Sequence, residues 1–290
     1  MAHQERKKIM KTWKKIVLGV SLISLFLGGG LVAWGYSQGG LTDLQNQTKS
    51  EQDYVKKEVK DFNKIDIKSS SYNVLIKNGD VDKATLSYYQ KTKNPIDTSV
   101  KDGQLTINDN NSELDSTSNK HINFFGLKDL VRLSTLNKEV RNKTIVITLP
   151  KKQTIDFLKV DLATGNLDLS NSTIKQADIH LNVGDLTFTK MIVSNLKANL
   201  DVGSVDSDHT LFTNSDLSIA MGDYSGDNMI FNGHNKLDVT SGDIEIALKD
   251  YTLNVQADSH SGEGDITNNL KISKDNTLTI TSDLGDITVE

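Results

Sequence analysis

The sequence predicts an all-β protein: a parallel β-solenoid with coils of about 19–22 residues and a short helical insertion, preceded by one N-terminal transmembrane helix. Three observations lead to this prediction. Apolar residues alternate with polar ones from about residue 62 onward, a glycine-centred motif recurs seven times after residue 150, and one uncharged apolar segment lies near the N-terminus. The chain contains two prolines, a low number that suits continuous ladders of paired backbone amides.

The apolar segment begins at Ile16 and continues for 19 residues without a charge, which as a helix spans about 28 Å and can cross a bilayer. Six lysines and arginines precede it against one acid, so the positive-inside rule leaves the N-terminus in the cytoplasm. The sequence therefore predicts a single-pass cell-membrane protein with an extracellular C-terminal domain. The predicted parts are a basic tail at 1–15, an anchor at 16–36, a polar stalk at 37–61 and an outer domain at 62–290. A cleaved signal peptide, with Ala33 and Gly35 as its small residues, is the alternative.

Composition narrows the classes of function. The net charge of −5 argues against a nucleic-acid surface, which normally carries a basic stripe. The absence of cysteine excludes disulfides, thiolate catalysis, cysteine-based zinc sites and a lipid anchor on cysteine. The apolar segment is therefore the predicted membrane attachment.

Period-two alternation predicts the strands of the outer domain, beginning with the pairs Ile65 with Ile67 and Val74 with Ile76. The alternation continues to the last residue. We therefore expect residues 276–290 to form the open end of the stack, where Asp283, Asp286 and Glu290 would discourage pairing with another chain. The alternative is that another chain adds a strand there.

Seven repeat corners follow Pro150, each with an apolar residue two places after its glycine. Two short strands are predicted to meet at each corner, where glycine provides positive φ or allows close approach of two backbones. Stacking of such short units buries their apolar interior only against their neighbours, which predicts the solenoid. The corner glycines are Gly165, Gly184, Gly203, Gly222, Gly242, Gly264 and Gly285.

The insertion at 108–143 interrupts the strand pattern. Its first part is polar, and its second part has apolar residues at roughly helical spacing with Lys128, Arg132 and Lys138 interleaved, which predicts a short amphipathic helix. Two roles remain open: a cap over the N-terminal end of the solenoid, or a contact with a membrane, peptide or protein partner. The interaction candidates are Phe124, Phe125, Leu127, Leu130 and Val131.

The search for chemistry gives no catalytic residue and no cofactor site. Two Ser-x-x-Lys spellings lie in strand sequence, where residues three apart point to opposite faces. His180 and His260 occupy equivalent positions in coils too far apart to share a metal ion. A column of corner acids is a weak candidate for Ca²⁺, and the alternative is that each acid caps its own turn. The column comprises Asp185, Asp223, Asp243, Asp265 and Asp286.

The opening sequence from Phe62 to Ile67, the Leu149–Pro150 pair and the recurring Gly-Asp-Ile or Gly-Asp-Leu corners resemble the bacterial β-strand repeat family named "putative adhesin", which includes LiaG-like proteins of Gram-positive bacteria. The resemblance covers roughly residues 62–290. It implies a β-helical outer domain at the cell envelope with adhesion-like or envelope-stress roles. The family has no established catalytic residues, so the resemblance implies none in this chain.

The expected function is therefore that of a non-enzymatic, membrane-anchored envelope protein whose β surface binds a cell-wall or envelope partner. Two alternatives stay open. One is a regulator or sensor subunit that contacts a membrane signalling protein. The other is a polysaccharide-active β-helix enzyme, which would need acids clustered on a concave face rather than at turns.

Overall fold

The structure, a computed structural model, describes residues 52–91, 95–109, 143–266 and 270–290. These residues form strands and turns and contain no helix, which confirms the all-β class for this part of the chain. Across the described ranges, no helix is long and apolar enough to cross a membrane. The predicted anchor at 16–36 and all but the ends of the predicted insertion lie outside the described residues.

The described residues form 25 strands, which belong to one 15-stranded and one 10-stranded sheet. Up to the first repeat these are β1 (Gln52–Glu58), β2 (Lys64–Ser69), β3 (Asn73–Gly79), β4 (Thr85–Lys91), β5 (Asp97–Lys101), β6 (Gln104–Asn108), β7 (Thr144–Pro150), β8 (Thr154–Ile155), β9 (Phe157–Leu162), β10 (Leu167–Ser170) and β11 (Thr173–Ile174). The remainder are β12 (Ala177–Val183), β13 (Leu186–Thr189), β14 (Ile192–Ser194), β15 (Leu196–Val202), β16 (Val205–Asp208), β17 (Leu211–Thr213), β18 (Asp216–Met221), β19 (Tyr224–Asn232), β20 (His234–Ser241), β21 (Ile244–Leu248), β22 (Asn254–Ser259), β23 (Gly264–Ile266), β24 (Thr277–Leu284) and β25 (Ile287–Val289).

Each central repeat contributes one strand to each of three ladders, which we call sheets A, B and C. In one repeat β12 belongs to sheet B, β13 to sheet A and β14 to sheet C, and sheets A and C join through β19. The next repeat pairs with it in parallel, 19 residues on, so that Ile179 lies beside Ala198 and Leu186 beside Val205. This in-register stacking is consistent with a solenoid. The sequence predicted two strands at each corner. The structure adds a third strand to each repeat, the strand of two or three residues that belongs to sheet C.

The core consists of the inward-facing residues of successive coils, stacked along all three ladders. Leu181, Leu186 and Val193, one from each strand of a single coil, are completely buried. The rings of Phe188 and Phe212 meet edge to face at 5.1 Å between centroids. Truncation of a buried phenylalanine costs about 3–5 kcal/mol, so these coils depend strongly on their neighbours.

The order of coils in the stack differs from their order in the chain. At one end β2 lies between β6 and β9, and β3 lies between β7 and β10. At the other end β24 lies between β20 and β22, and β25 lies between β21 and β23. The expectation that residues 276–290 form the open end is therefore wrong: β22 and β23 are the edge strands. The predicted alternation of apolar and polar residues was correct, but such alternation does not determine the order in which the coils stack.

Antiparallel strands occupy the N-terminal end of the stack. β4 pairs with β7 and β1 pairs with β4 in sheet A, while β5 pairs with β6 in sheet B. Residues 52–58, assigned from their polar composition to the stalk, form β1 instead. An edge strand needs only one packed face, and here Val55 packs against the core while Tyr54 contacts Tyr89.

Candidate binding surfaces

The corner glycines bring the backbones of adjacent coils into direct contact. The φ angles of Gly184, Gly203 and Gly222 are 151°, 146° and 141°, a region that favours glycine. A Cβ on Gly203 would lie 2.0 Å from the carbonyl oxygen of Gly184, and the same relation recurs from coil to coil. Both reasons proposed for glycine at the corners therefore operate together. The positive-φ corners are Gly165, Gly184, Gly203, Gly222, Gly242 and Gly285.

The polar residue after each corner glycine accepts a hydrogen bond from the next coil. The backbone N–H of Ser204 donates to Oδ1 of Asp185 at 3.0 Å, and the N–H of Asp243 donates to Oδ1 of Asp223 at 2.9 Å. The N–H of Asp286 donates to Oδ1 of Asp243 in the same way, at 2.9 Å. These acids therefore link neighbouring coils, in contrast to the alternative that each caps its own turn.

The corner of the edge coil lies two residues earlier than predicted. Because Gly264 pairs with Ile287, the residue in register with Gly285 is Gly262, and a Cβ there would lie 2.1 Å from the carbonyl oxygen of Gly285. Gly264 lies in β23, and a Cβ on it would have no neighbour within 4 Å. Glu263, rather than Asp265, takes the place of the corner acid, and its N–H donates to Oδ1 of Asp286 at 2.9 Å. The Gly-Asp-Ile spelling at 264–266 suggested the wrong glycine of two.

The stack order places three corner acids in successive coils: Asp223, Asp243 and Asp286. Asp185 stands apart from them because Ser204 occupies the coil between. Each of the three uses one carboxylate oxygen as an acceptor for a backbone N–H, which leaves the second oxygen for solvent or a cation. In the described part of the chain, no group of three or more histidine, cysteine or acidic side chains is arranged to hold a metal ion. Calcium binding at this column stays a prediction.

The two repeat histidines are far apart. His180 lies in β12, and His260 follows β22 with its Nδ1 3.7 Å from Asp283. Five coil steps separate them in the stack, about 24 Å at the usual strand spacing. They do not form one site.

An exposed apolar stripe follows the corners on the sheet B side, and we call it the corner stripe: Val202, Met221 and Leu284, each directly before its glycine. Their exposed fractions are 37%, 59% and 57%, and Ser241 occupies the same row between Met221 and Leu284. Asp223 and Asp286 of the corner column follow Met221 and Leu284 two residues later in the chain, whereas Ser204 follows Val202. The stripe therefore presents apolar groups beside carboxylates.

The outward face of sheet B carries a row of alternating charges, which we call the charged row. One residue from each of six stacked coils contributes, and opposite charges are neighbours at every step. Adjacent charges are about 4.8 Å apart between strands, so the alternation favours this register over a shifted one. The pKa of Lys236 is raised by its hydrogen bond to Asp238 and by the charge of that carboxylate, with Asp216 adding to the effect. The row consists of Asp66, Lys159, Asp178, Lys197, Asp216 and Lys236.

One carboxyl group on the outward face of sheet A is buried. Asp168 is only 3% exposed, and its pKa is raised to about 7. Burial is the main cause of this rise, a hydrogen bond with Thr187 opposes it, and the charge of Asp185 adds to it. Among the described residues, no hydrogen-bond partner lies near its Oδ2. Nothing in the local sequence, Leu167 to Leu169, distinguishes this acid from an exposed strand residue.

The charged row, unlike the burial of Asp168, could have been predicted from the sequence. Lys159, Asp178, Lys197 and Asp216 follow one another at the 19-residue spacing of the corner glycines. Alignment of the repeats on their glycines would have placed these charges in one column.

The interaction candidates of the insertion lie outside the described residues: Phe124, Phe125, Leu127, Leu130 and Val131. The two ends of the insertion are described. Asp109 accepts hydrogen bonds from Ser69 Oγ at 3.0 Å and from the N–H of Ser70 at 3.2 Å, and the carbonyl of Lys143 accepts one from the N–H of Asn73 at 2.8 Å. The two described ends of the insertion therefore adjoin the turn between β2 and β3.

The chain matches three bacterial proteins of solved structure over most of their length. A "putative adhesin" from Bacteroides fragilis is 15% identical over 83% of this chain and 98% of its own, with a TM-score of 0.36. A "putative cell adhesion protein" from Clostridium sporogenes is 15% identical over 82% and 99%, with a TM-score of 0.28. A "putative lipid binding protein" from Parabacteroides distasonis is 11% identical over 83% and 98%, with a TM-score of 0.32.

No curated protein is significantly similar to the chain. The family model described as Toastrack DUF4097 matches residues 62–290, the whole of the predicted outer domain. This match confirms the predicted β-strand repeat family, so the chain belongs to the Toastrack DUF4097 family.

Proposed function

We propose that the chain is a non-enzymatic cell-envelope protein that binds a wall or envelope partner through the outer surface of its stacked sheets. In this proposal residues 16–36 anchor the chain in the cell membrane, the N-terminus is cytoplasmic and residues 62–290 are extracellular. The protein would act in adhesion or in the response to envelope stress, without a cofactor and without nucleic acid.

The observation that supports binding is the charged row. It presents lysines and aspartates on neighbouring parallel strands, in register over six coils. A polymer with repeated charged groups can contact several such residues at once, and many weak contacts at fixed spacing add to a useful avidity. A parallel stack in which each strand pairs on both sides keeps that spacing rigid.

The proposal is tested by measuring binding of the purified domain, residues 50–290, to isolated wall, whole envelopes and liposomes. Three variants locate the binding surface. The first carries Lys159→Ala, Lys197→Ala and Lys236→Ala in the charged row. The second carries Val202→Ser, Met221→Ser and Leu284→Ser in the corner stripe. The third lacks residues 121–138.

We expect the charged-row variant to bind wall or envelopes at least about tenfold more weakly, because it loses several simultaneous contacts. We expect the other two variants to bind like the parent. Binding lost only on deletion of 121–138 would move the binding site to the insertion. Absence of binding by the parent to all three materials would refute the proposal.

A further inference from the structure

The coil formed by β22 and β23 has strand partners on one side only. Among the described strands, β22 pairs with β24 alone and β23 with β25 alone. The N–H groups of Asn254 and His260 donate to carbonyls on the β24 side. Because the backbone groups of successive residues in a strand point to opposite sides, those of the odd-numbered residues between them point to the free side. These are the N–H and C=O groups of Val255, Ala257 and Ser259.

The inward side chains of this coil are apolar and incompletely covered. Val255 and Ala257 are in register with Leu278 and Ile280 of β24, which are 1% and 0% exposed. Val255 and Ala257 themselves are only partly buried, as is Ile266 in β23, although all three pack against the core. One further strand on the free side would cover them.

The free side of this coil lacks the features that usually prevent strand pairing. Natural sheet edges are protected by proline, bulges, inward-pointing charges or lysine. The register of β22 and β23 with their partners is unbroken, and their inward residues carry no charge. Residues 254–266 contain neither proline nor lysine. At the other end of sheet A, by contrast, the edge strand β1 contains Lys56 and Lys57.

Charge selects the kind of strand that can pair here. Residues 254–266 and 277–290, which form the last two coils of the stack, contain six acids and no lysine or arginine. Lys271 and Lys274 lie in the connection between these two ranges. A second copy pairing through the same edge would bring like charges together, which is unfavourable, whereas a strand with cationic side chains would bring opposite charges together. The exposed acids of the edge coil itself are Asp258, Glu263 and Asp265.

We propose that the free side of β22 and β23, which we call the open edge, binds an extended segment of another protein in which lysine or arginine alternates with apolar residues. The backbone of the added strand would pair with Val255, Ala257 and Ser259. Its apolar side chains would point inward over Val255 and Ala257, and its cations would point outward beside Asp258, since alternate side chains of a strand face opposite sides. The charged row ends at Lys236, two strands away, so the open edge is a second binding site.

The test measures binding of a fluorescent peptide of four Lys-Val repeats to the full-length chain in mild detergent, by anisotropy. A peptide of four Glu-Val repeats is the control for charge. The variant Ala257→Pro blocks strand pairing at the open edge. It removes an N–H that points to the free side, so no bond to β24 is lost, and proline is tolerated at such a position of an edge strand.

A second variant keeps the backbone of the open edge and removes its charge: Asp258→Asn, Glu263→Gln and Asp265→Asn. Its matched control changes the net charge of the chain equally, at three exposed acids in the N-terminal coils of the described domain. The control carries Asp53→Asn, Asp61→Asn and Asp82→Asn.

We expect the Lys-Val peptide to bind the parent chain and the Glu-Val peptide not to bind. Ala257→Pro and the neutralised edge should each weaken binding at least about tenfold, and the control should bind like the parent. Bound peptide should also slow amide hydrogen exchange at Val255, Ala257 and Ser259 in the parent, because a paired amide exchanges only on opening. This exchange measurement decides the question if Ala257→Pro fails to fold.

Four results would overturn the proposal. Failure of the parent to bind the Lys-Val peptide would show that the open edge accepts no such strand. Equal binding of both peptides would remove the role of charge. Binding without slower exchange at the three amides would indicate a contact with acids elsewhere. Self-association of the parent that Ala257→Pro abolishes would assign the edge to a second copy. Because the ligand is a peptide, these outcomes are independent of binding to wall or envelope.

Discussion

At the scale of single residues, the corner glycines set the distance between adjacent coils. The Cβ of alanine at position 203 would overlap the carbonyl oxygen of Gly184, and alanine is strained at a φ of 146°. We expect Gly203→Ala to lower the free energy of unfolding by at least about 2 kcal/mol, measured by urea denaturation. Gly264→Ala is the control, and we expect a change within about 0.5 kcal/mol because space is open there. Equal effects of the two substitutions would contradict this account of the corners.

The corner acids act as acceptors for amides, so their oxygen atom matters more than their charge. Asp243→Asn keeps an Oδ1 for the N–H of Asp286, and we expect it to leave the melting temperature nearly unchanged. Asp243→Ala removes the acceptor and should cost about 1 kcal/mol. If the corner acids act only as acceptors for amides, added Ca²⁺ and a chelator leave the melting temperature of the parent unchanged. A rise with Ca²⁺ that Asp243→Asn abolishes would instead establish the calcium column.

Asp168 makes stability depend on pH. Its pKa in the folded protein, about 7, lies above its ordinary value of 3.8, so the fold favours the protonated form. The stabilising contribution is complete below about pH 4 and is lost as the pH rises to about 7, a loss on the order of 4 kcal/mol. We expect Asp168→Asn to remove this decline in unfolding measurements from pH 4 to pH 8. The exposed Asp258→Asn should retain it, and a parallel decline in Asp168→Asn and the parent would assign the pH dependence to other groups.

At the scale of elements, the charged row favours the observed register of strand pairing over a shifted one. Lys197→Asp would place three acids on adjacent strands, since Asp178 and Asp216 flank Lys197. Like charges directly opposite are unfavourable, and we expect a loss of up to about 1 kcal/mol that shrinks in 1 M salt. Lys197→Gln, which only removes the charge, should cost less. A loss independent of salt would show that packing, rather than charge, is responsible.

The sequence predicts some elements well and others poorly, for physical reasons. Strands beside the corners have alternation and a corner glycine at one end, and the prediction of β12, β13, β15 and β16 was correct in type and place. The strands of sheet C contain two or three residues, too few for a period to be visible. The burial of Asp168 was not predictable either, because the flanking residues Leu167 and Leu169 have the pattern of an ordinary strand with one exposed face.

At the scale of the whole described domain, the strands β24 and β25 lie inside the stack rather than at its edge. β24 and β25 have partners on both sides, whereas β22 and β23 pair only with them. Removal of residues 277–290 should therefore release residues 254–266 as well. We expect amide hydrogen exchange in β22 to become fast while that in β12 stays slow. Continued protection of β22 would show that it pairs directly with β20 when β24 is absent.

The position of β24 and β25 also bears on synthesis of the chain. A ribosome releases β22 and β23 before β24 and β25, yet the earlier pair has its place in the stack only beyond the later one. Coils with corners from Gly165 to Gly242 can dock one after another as they emerge, but the edge coil must wait until β24 and β25 have emerged. A premature stop codon before Thr277 would thus remove one coil, β24 with β25, and leave a second coil, β22 with β23, undocked.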